Sequence, residues 1–298
     1  MDTTTTPAYK MPAVAARRAT QLLERAGMLD AVAKPLAAGV RRLTGTGAVK
    51  DAISGTGLGH PAHPPLTDLV IGSLLSASLL DLVAPRAGNR AASCLIGLGA
   101  VAFAPTALTG LSDWADTELS DARVRRAGLG HAGMNLAALA MYCGSLVARR
   151  SGGRIRGALW ALGGAATLAG AGYLGGHLAY VRGVGGNQTA FDPGPQDWTP
   201  ALADTDLTDG TLYAADAGGT PVLIVRRDGR SYALHDRCSH RGCPLSTGQL
   251  DGYRITCACH GSQFDIRDGS LLRGPAVVGQ PALDCRAVGG QIEVRRPV

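Results

Sequence analysis

Hydrophobic patterning divides this chain into two styles. Between residues 66 and 181, four long apolar runs alternate with short polar breaks, at 66–84, 91–111, 127–148 and 157–181. A helix needs ~20 mostly apolar residues to cross a hydrocarbon core, about twice the length of an ordinary globular helix. Asp68 and Asp81 lie near the ends of the first run, and His131 and His177 interrupt the third and fourth. Ala and Gly dominate, with a Gly172-x-x-x-Gly176 pair in the last run. Small residues let helix backbones approach closely in lipid. The pattern therefore predicts an all-α transmembrane four-helix bundle over residues 60–184. Upstream, Leu29, Val32, Leu36, Val40 and Leu43 share one helical face. Such a helix suits either the membrane surface or the bundle's own soluble face. Residues 1–59 thus read as amphipathic N-terminal helices, ending in a Gly/Thr-rich linker at 44–59.

Past residue 198 the apolar runs shorten. Val222-Leu-Ile-Val225, Tyr232-Ala-Leu234, Ile255-Thr256 and Ile292-Glu-Val294 read as strands, separated by Asp228-Gly229, Asp268-Gly269 and Gly289-Gly290 turn signals. An all-β antiparallel domain over 198–298 is expected. The Gly- and Pro-rich stretch between the two halves, 185–197, reads as a flexible linker that lets the second half swing.

Composition sharpens this division. Only 17% of the 298 residues are charged, below the ~25% of an average soluble protein. The net charge is +6, with no basic stripe interleaved with aromatics, so a nucleic-acid partner is not expected. The loops at 85–90 and 149–156 hold six Arg and no acid. Lys and Arg in short loops mark the cytoplasm. The C-terminal half is then expected on the outer face of a bacterial-type cell membrane. The eight Lys/Arg before Asp51 argue the other way, but most lie too far from the first run to count.

Four of the seven Cys fall between residues 238 and 259. Cys238-Ser-His240 and Cys257-Ala-Cys259-His260 each pair a thiol with an imidazole at short spacing. Two Cys and two His can hold a tetrahedral zinc. They can equally hold a [2Fe-2S] cluster, with the thiolates on one iron and the imidazoles on the other.

The runs Cys238-Ser-His-Arg-Gly-Cys243-Pro-Leu and Ile255-Thr-Cys-Ala-Cys-His-Gly-Ser-Gln-Phe-Asp265 resemble a Rieske iron–sulfur domain. The resemblance implies that Cys238, His240, Cys257 and His260 are the metal ligands. It implies a disulfide between Cys243 and Cys259, as in Rieske subunits of quinol-oxidising cytochrome complexes. Gly274-Pro275-Ala276 resembles the loop that covers the cluster. Ser262 matches a hydroxyl that donates to a cluster sulfide. Arg241 and Phe264 depart from the respiratory pattern, Phe264 standing where a Tyr donates to a Cys sulfur. A potential below that of the respiratory subunits is expected, within the family's range of about −150 to +300 mV.

Gly59-His-Pro-Ala-His-Pro64 followed by four apolar runs is similar to a bacterial family of small four-helix membrane proteins of unknown function. His60, His63, His131 and His177 fall toward one face of that bundle. They read either as interfacial and hydrogen-bonded residues or as a site for b-type haem, another metal or a quinone. His131 with His177 is the first haem pair to consider. No nucleophile or paired-carboxylate constellation occurs. The chain as a whole is expected to be an electron-transfer protein or oxidoreductase subunit, passing single electrons in a quinol-linked respiratory chain. A ferredoxin-type donor to an oxygenase or other oxidase, or a redox sensor, is the alternative.

Overall fold

The computed structural model describes residues 11–298, so Lys10 of the basic N-terminal stretch lies outside the described residues. The chain forms two compact units. One holds the residues up to Leu43 together with His63–Val184, and the other holds Thr44–Ala62 together with Gly185–Val298.

The first unit is helical: α1 Met11–Arg25, α2 Asp30–Thr44, and four long helices, α4 His63–Val83, α5 Asn89–Thr117, α6 Ala122–Arg150 and α7 Arg154–Gly176. Of these, α4 and α5 are long and apolar enough to cross a membrane. α6 and α7 are also long, but richer in small and polar residues. The long helices pack through Leu74, Ala77, Ile96, Ala138, Tyr142 and Ala161. Tyr142 is fully buried, and its hydroxyl meets Ser78 Oγ at 2.9 Å, while Ser78 Oγ also lies 3.2 Å from the Ala161 carbonyl. One polar seam thereby joins α4, α6 and α7. Arg149 is buried too, bonded to Asp81 and to Asn89 Oδ1. α2 seats Ala33, Ala37 and Val40 against Trp114 and Ala115, whereas Val32, Leu36 and Leu43 stay exposed. The packed face centres on Ala33 and Ala37 and takes Val40 from the bulky stripe that the periodicity singled out, while Val32, Leu36 and Leu43 of that stripe lie outside it.

The second unit is built on antiparallel strands: β1 Thr199–Ala203, β2 Leu212–Ala217, β3 Thr220–Arg227, β4 Arg230–His235, β5 Gln249–Asp251, β6 Arg254–Thr256, β7 Gln263–Asp265, β8 Leu271–Arg273, β9 Ala282–Val288 and β10 Gln291–Arg295. They form a six-stranded sheet, β1-β10-β9-β4-β3-β2, and a four-stranded sheet, β5-β6-β7-β8. The expected strands fall in β3, β4, β6 and β10. Both residues of Asp228-Gly229 and of Gly289-Gly290 have positive φ, the conformation that tight two-residue hairpins need. β3 is buried on both faces, and successive side chains point to opposite sides. Leu223 and Val225 join Leu234, Cys238, Cys257 and Phe264 in one core. Val222 and Ile224 join Ala233, Ile292 and Val294 in another.

Two stretches differ from their expected linker character. Residues 44–59 contain a helix, α3 Ala48–Ser54, and belong to the second unit. The link at 185–197 is docked on the β domain rather than free. The Gln188 amide donates to the Ser239 carbonyl at 3.1 Å, Thr220 Oγ1 donates to Asp192 at 3.0 Å, and the Arg296 amide donates to the Pro195 carbonyl at 2.7 Å. Gly and Pro there serve turns, and the backbone bonds supply the order that composition hides.

Candidate metal centre

Two loops carry the chemistry, one after β4 and one after β6. In the first, the Cys238 amide donates to the Cys243 carbonyl at 2.9 Å and the Gly242 amide returns to the Cys238 carbonyl at 2.8 Å. In the second, the Cys257 amide donates to the Ser262 carbonyl at 2.8 Å and the Gly261 amide returns to the Cys257 carbonyl at 3.0 Å. Each loop folds back on its cysteine through a glycine with positive φ, 76° at Gly242 and 79° at Gly261. A side chain would be strained at either position. Two sequence-distant segments thus adopt matching hooks, each presenting a sulfur and, two or three residues on, an imidazole.

Cys243 and Cys259 form a disulfide across the two hooks, 16 residues apart in sequence. Cys238 and Cys257 are free thiols, both buried. The sulfurs of Cys243, Cys257 and Cys259 crowd within 4.8 Å of one another. Two of those three are spent in the disulfide, so they cannot be the ligand set. Cys238 and Cys257 are instead in hydrogen-bonding contact with each other. Their contact holds the Cys238 thiol far above its ordinary range, with burial adding to the effect, and draws Cys257 down to about 6. Backbone amides aim at both sulfurs, from His240 and Arg241 at Cys238 and from Cys259 and His260 at Cys257, and each favours the thiolate. Thiolate is the form that ligates metal. The rings of His240 and His260 lie edge to face, 5.1 Å apart between centroids. Burial, then the charges of Arg241, His260 and Lys50, push the His240 imidazole well below its ordinary value, keeping it in the neutral form that a metal needs. Two adjoining cysteine sulfurs with amide support and two adjoining imidazoles are a donor set that fits a [2Fe-2S] cluster of mixed ligation.

Ser262 is fully buried and its Oγ accepts the Ala276 amide at 3.0 Å, which leaves its O–H free to be donated elsewhere. Phe264 is fully buried in the same core as both ligand cysteines. Arg241 is half-buried. Gly274 and Pro275 are joined by a cis peptide ahead of Ala276.

Gln280 is a residue that motif reading missed. It is 3% exposed. Its Oε1 accepts the Ser239 amide at 2.9 Å, and its Nε2 donates to the carbonyls of His235 and Arg237 at 2.6 Å each. One side chain therefore spans the first hook, and no local pattern around it signals that role. His235 is structural, as expected of a strand-end residue: its Nδ1 accepts the Arg237 amide at 3.1 Å, and Nε2 lies 3.0 Å from Asp192 Oδ2.

The four other histidines each make hydrogen bonds of their own. His60 bonds the neighbouring Pro61 carbonyl and belongs to the second unit. His63 Nδ1 meets the Thr106 carbonyl at 3.0 Å, tying α4 to α5. His131 Nδ1 donates to the Ala171 carbonyl at 2.8 Å, tying α6 to α7. His177 Nε2 faces Glu24 Oε1 at 2.8 Å, beside Arg182. The expected haem pair, His131 and His177, is thus engaged with different partners as ties within the helical unit, and the haem reading has no support.

Residues 197–284 match the family described as Rieske [2Fe-2S] domain, and residues 59–188 match a family described as predicted membrane protein (DUF2231). The chain is 32% identical over 98 residues to the anthranilate 1,2-dioxygenase ferredoxin subunit of Burkholderia cepacia, covering 33% of this chain and 91% of that protein. It is 37% identical over 103 residues to the cytochrome b6-f complex iron-sulfur subunit 2 of Cyanophora paradoxa, covering 32% of this chain and 40% of that protein. Among solved structures, the ferredoxin of carbazole 1,9a-dioxygenase from Nocardioides aromaticivorans aligns over 34% of this chain and all of its own, with 28% identity and a TM-score of 0.33.

Proposed function

Because this chain belongs to the Rieske [2Fe-2S] family, we propose that it is a membrane-anchored carrier of single electrons between a quinol and a redox partner at the outer face of the membrane. The observation that carries the reading is the union in one chain of a two-thiol, two-imidazole site with helices apolar and long enough to cross a membrane.

Cys238 and Cys257 would hold one iron and His240 and His260 the other. The bound cluster supplies a one-electron couple. The chain's own groups set its tendency to accept that electron. The amides directed at the two sulfurs and the Ser262 hydroxyl favour the more negative, reduced state. The Arg241 guanidinium acts in the same direction. Phe264 has no hydroxyl to contribute, which supports a potential below that of a site with Tyr there. The Cys243–Cys259 disulfide ties the two hooks together. Disulfides persist in oxidising compartments and rarely in the cytosol, which together with the Arg-rich loops supports the outward placement and a multi-pass anchor.

A second reading is a ferredoxin-type donor to an oxygenase, on the cytoplasmic side. Its support is the likeness to the ferredoxin subunit of anthranilate 1,2-dioxygenase, together with Arg241 and Phe264. Low-temperature EPR of the dithionite-reduced protein is expected to show a rhombic signal of mixed Cys/His ligation; a colourless protein holding a single zinc would overturn the cluster. A reporter active only outside the cytoplasm, fused after Val298, is expected to be active, and membranes of a deletion strain are expected to oxidise quinol more slowly. A silent reporter with unchanged quinol oxidation would favour the oxygenase-donor reading.

A further inference from the structure

α2 is tied to the long helices at both ends and along one side. Near its start, the Arg126 guanidinium of α6 donates to both Asp30 oxygens, Nε to Oδ1 and Nη2 to Oδ2, at 3.0 Å each. Near its end, Arg41 Nη1 donates to Glu118 Oε1 at 2.8 Å and to the Ala115 carbonyl of α5 at 2.7 Å. Between these ties Ala33 and Ala37 are fully buried beside Trp114 and Ala115, with Val40 and Leu111 packed against the same cluster. The rotation of α2 about its own axis is therefore fixed. That rotation leaves Val32, Leu36 and Leu43 exposed by 58%, 40% and 87%. Their spacing puts them on one stripe. At about 100° per residue, exposed Lys34 falls on the opposite side of the helix and exposed Arg42 on its flank.

The place where α2 sits decides what can cover that stripe. On α5, Val101, Leu108 and Ala115 recur every second turn and share one face. Val101 and Leu108 are exposed, so this is the outward face of a helix long and apolar enough to cross a membrane. Ala115 on the same face is buried, in the cluster with Ala33 and Ala37 of α2. The apolar run of α5 ends at Leu111, and Asp113, Trp114 and Asp116 follow. α2 thus covers the outward face of α5 just past the point where apolar sequence gives way to polar. Small residues of α2 meet the bundle there, while its bulky ones continue the exposed apolar surface of α5.

We propose that α2 is a lipid-binding helix lying in the membrane interface, with Ala33 and Ala37 against α5, the Val32–Leu36–Leu43 stripe among the upper acyl chains, Lys34 toward water and Arg42 at the lipid phosphates. This rests on the reading of α5 as a membrane-spanning helix, and goes beyond it by assigning a lipid surface to a helix outside α4–α7. Charge supports the same occupant. Both fully exposed charged residues of α2, Lys34 and Arg42, are basic. Interfacial helices combine an apolar stripe with a basic polar face, and a long basic side chain can keep its head among phosphates while its stem lies along apolar surface.

The test uses the full-length chain in nanodiscs of phosphatidylcholine and phosphatidylglycerol. Cys94, Cys143 and Cys285, the free cysteines outside the metal centre, are replaced by Ala, and a nitroxide is attached at a single added cysteine. Its relaxation by oxygen, which concentrates in lipid, is compared with its relaxation by a water-soluble nickel chelate. The oxygen-to-nickel ratio for Leu36→Cys is expected to exceed that for Lys34→Cys several-fold and to approach that for Val101→Cys. A Leu36→Cys ratio equal to that of Lys34→Cys overturns the proposal, because the stripe then faces water. A Leu36→Cys nitroxide shielded from both reagents overturns it as well, because protein then covers the stripe. If Leu36→Cys fails to fold, Val32→Cys carries the same comparison. A Val101→Cys nitroxide open to nickel refutes the spanning reading itself, an outcome distinct from a lipid-facing α5 beside a water-facing α2.

Discussion

Gln280→Met tests how the first metal-binding hook is held. Met keeps nearly the length and volume of Gln, so cavity formation adds little. What is lost is polar: the Ser239 amide loses its acceptor, and the carbonyls of His235 and Arg237 lose their donor. Gln280, Ser239 and His235 are all nearly inaccessible, so water cannot replace the bonds to Ser239 and His235. Arg237 is exposed and its carbonyl is only partly buried, so it counts for little. Each buried group left unsatisfied costs about 1–3 kcal/mol, giving about 2–6 kcal/mol for the pair. At about 4 °C per kcal/mol for a domain of this size, the midpoint of thermal cluster loss should fall by at least about 8 °C. The assay is visible-region circular dichroism on heating the detergent-purified full chain, parent and variant at one scan rate, since release of the cluster is irreversible. Gln280→Glu keeps an acceptor for Ser239 but sets a carboxylate against two carbonyls, and is expected to be destabilised as well. A shift below about 3 °C in Gln280→Met would refute the reasoning, because it would mean that these bonds do not hold the hook.

The Cys243→Ser/Cys259→Ser double variant opens a loop closed across 16 residues and is expected to lose about 3 kcal/mol of stability from the freed unfolded chain, read as earlier cluster loss in urea. Phe264→Tyr restores a hydroxyl beside the ligand cysteines and is expected to raise the voltammetric midpoint, by up to about 59 mV for a tenfold change in the reduction equilibrium; no rise would show that the hydroxyl does not reach a sulfur. Asp192 is raised by burial, but hydrogen bonds from His235 and Thr220 more than offset this and hold its carboxyl below the ordinary 3.8. A depressed carboxyl contributes stability that is complete above its unfolded value and fades as pH falls through the folded one. Asp192→Asn should therefore be less stable than the parent at pH 7, with the difference shrinking below about pH 4, as read by cluster retention after equilibration at each pH.

The two Cys/His pairs were legible because their pattern is local. A thiol and an imidazole presented from one loop must lie two or three residues apart, so Cys238/His240 and Cys257/His260 are visible as text. The hairpins at Asp228-Gly229 and Gly289-Gly290 were legible for the same reason, since positive φ at consecutive residues is a local demand. The packing of α2 was not. Its bulky stripe is conspicuous, yet Ala33 and Ala37 make the contact with Trp114, and close approach becomes favourable only when a partner surface is present.

What the amino-acid sequence by itself determined is the division into an apolar helical half and a β half, the two Cys/His pairs, and the turns within the β half. Only the tertiary structure decided that the Gly-rich stretches at 44–59 and 185–197 are ordered parts of the second unit. It alone showed that Gln280 spans the first hook, and that Lys50 is buried on the face of α3 that meets Arg273 and Gly274. The physical reason is that a polar side chain and a small-residue loop are ambiguous in isolation. Their energies depend on which distant donors, acceptors and charges the fold brings within about 3 Å, and that information is carried by no single window of the chain.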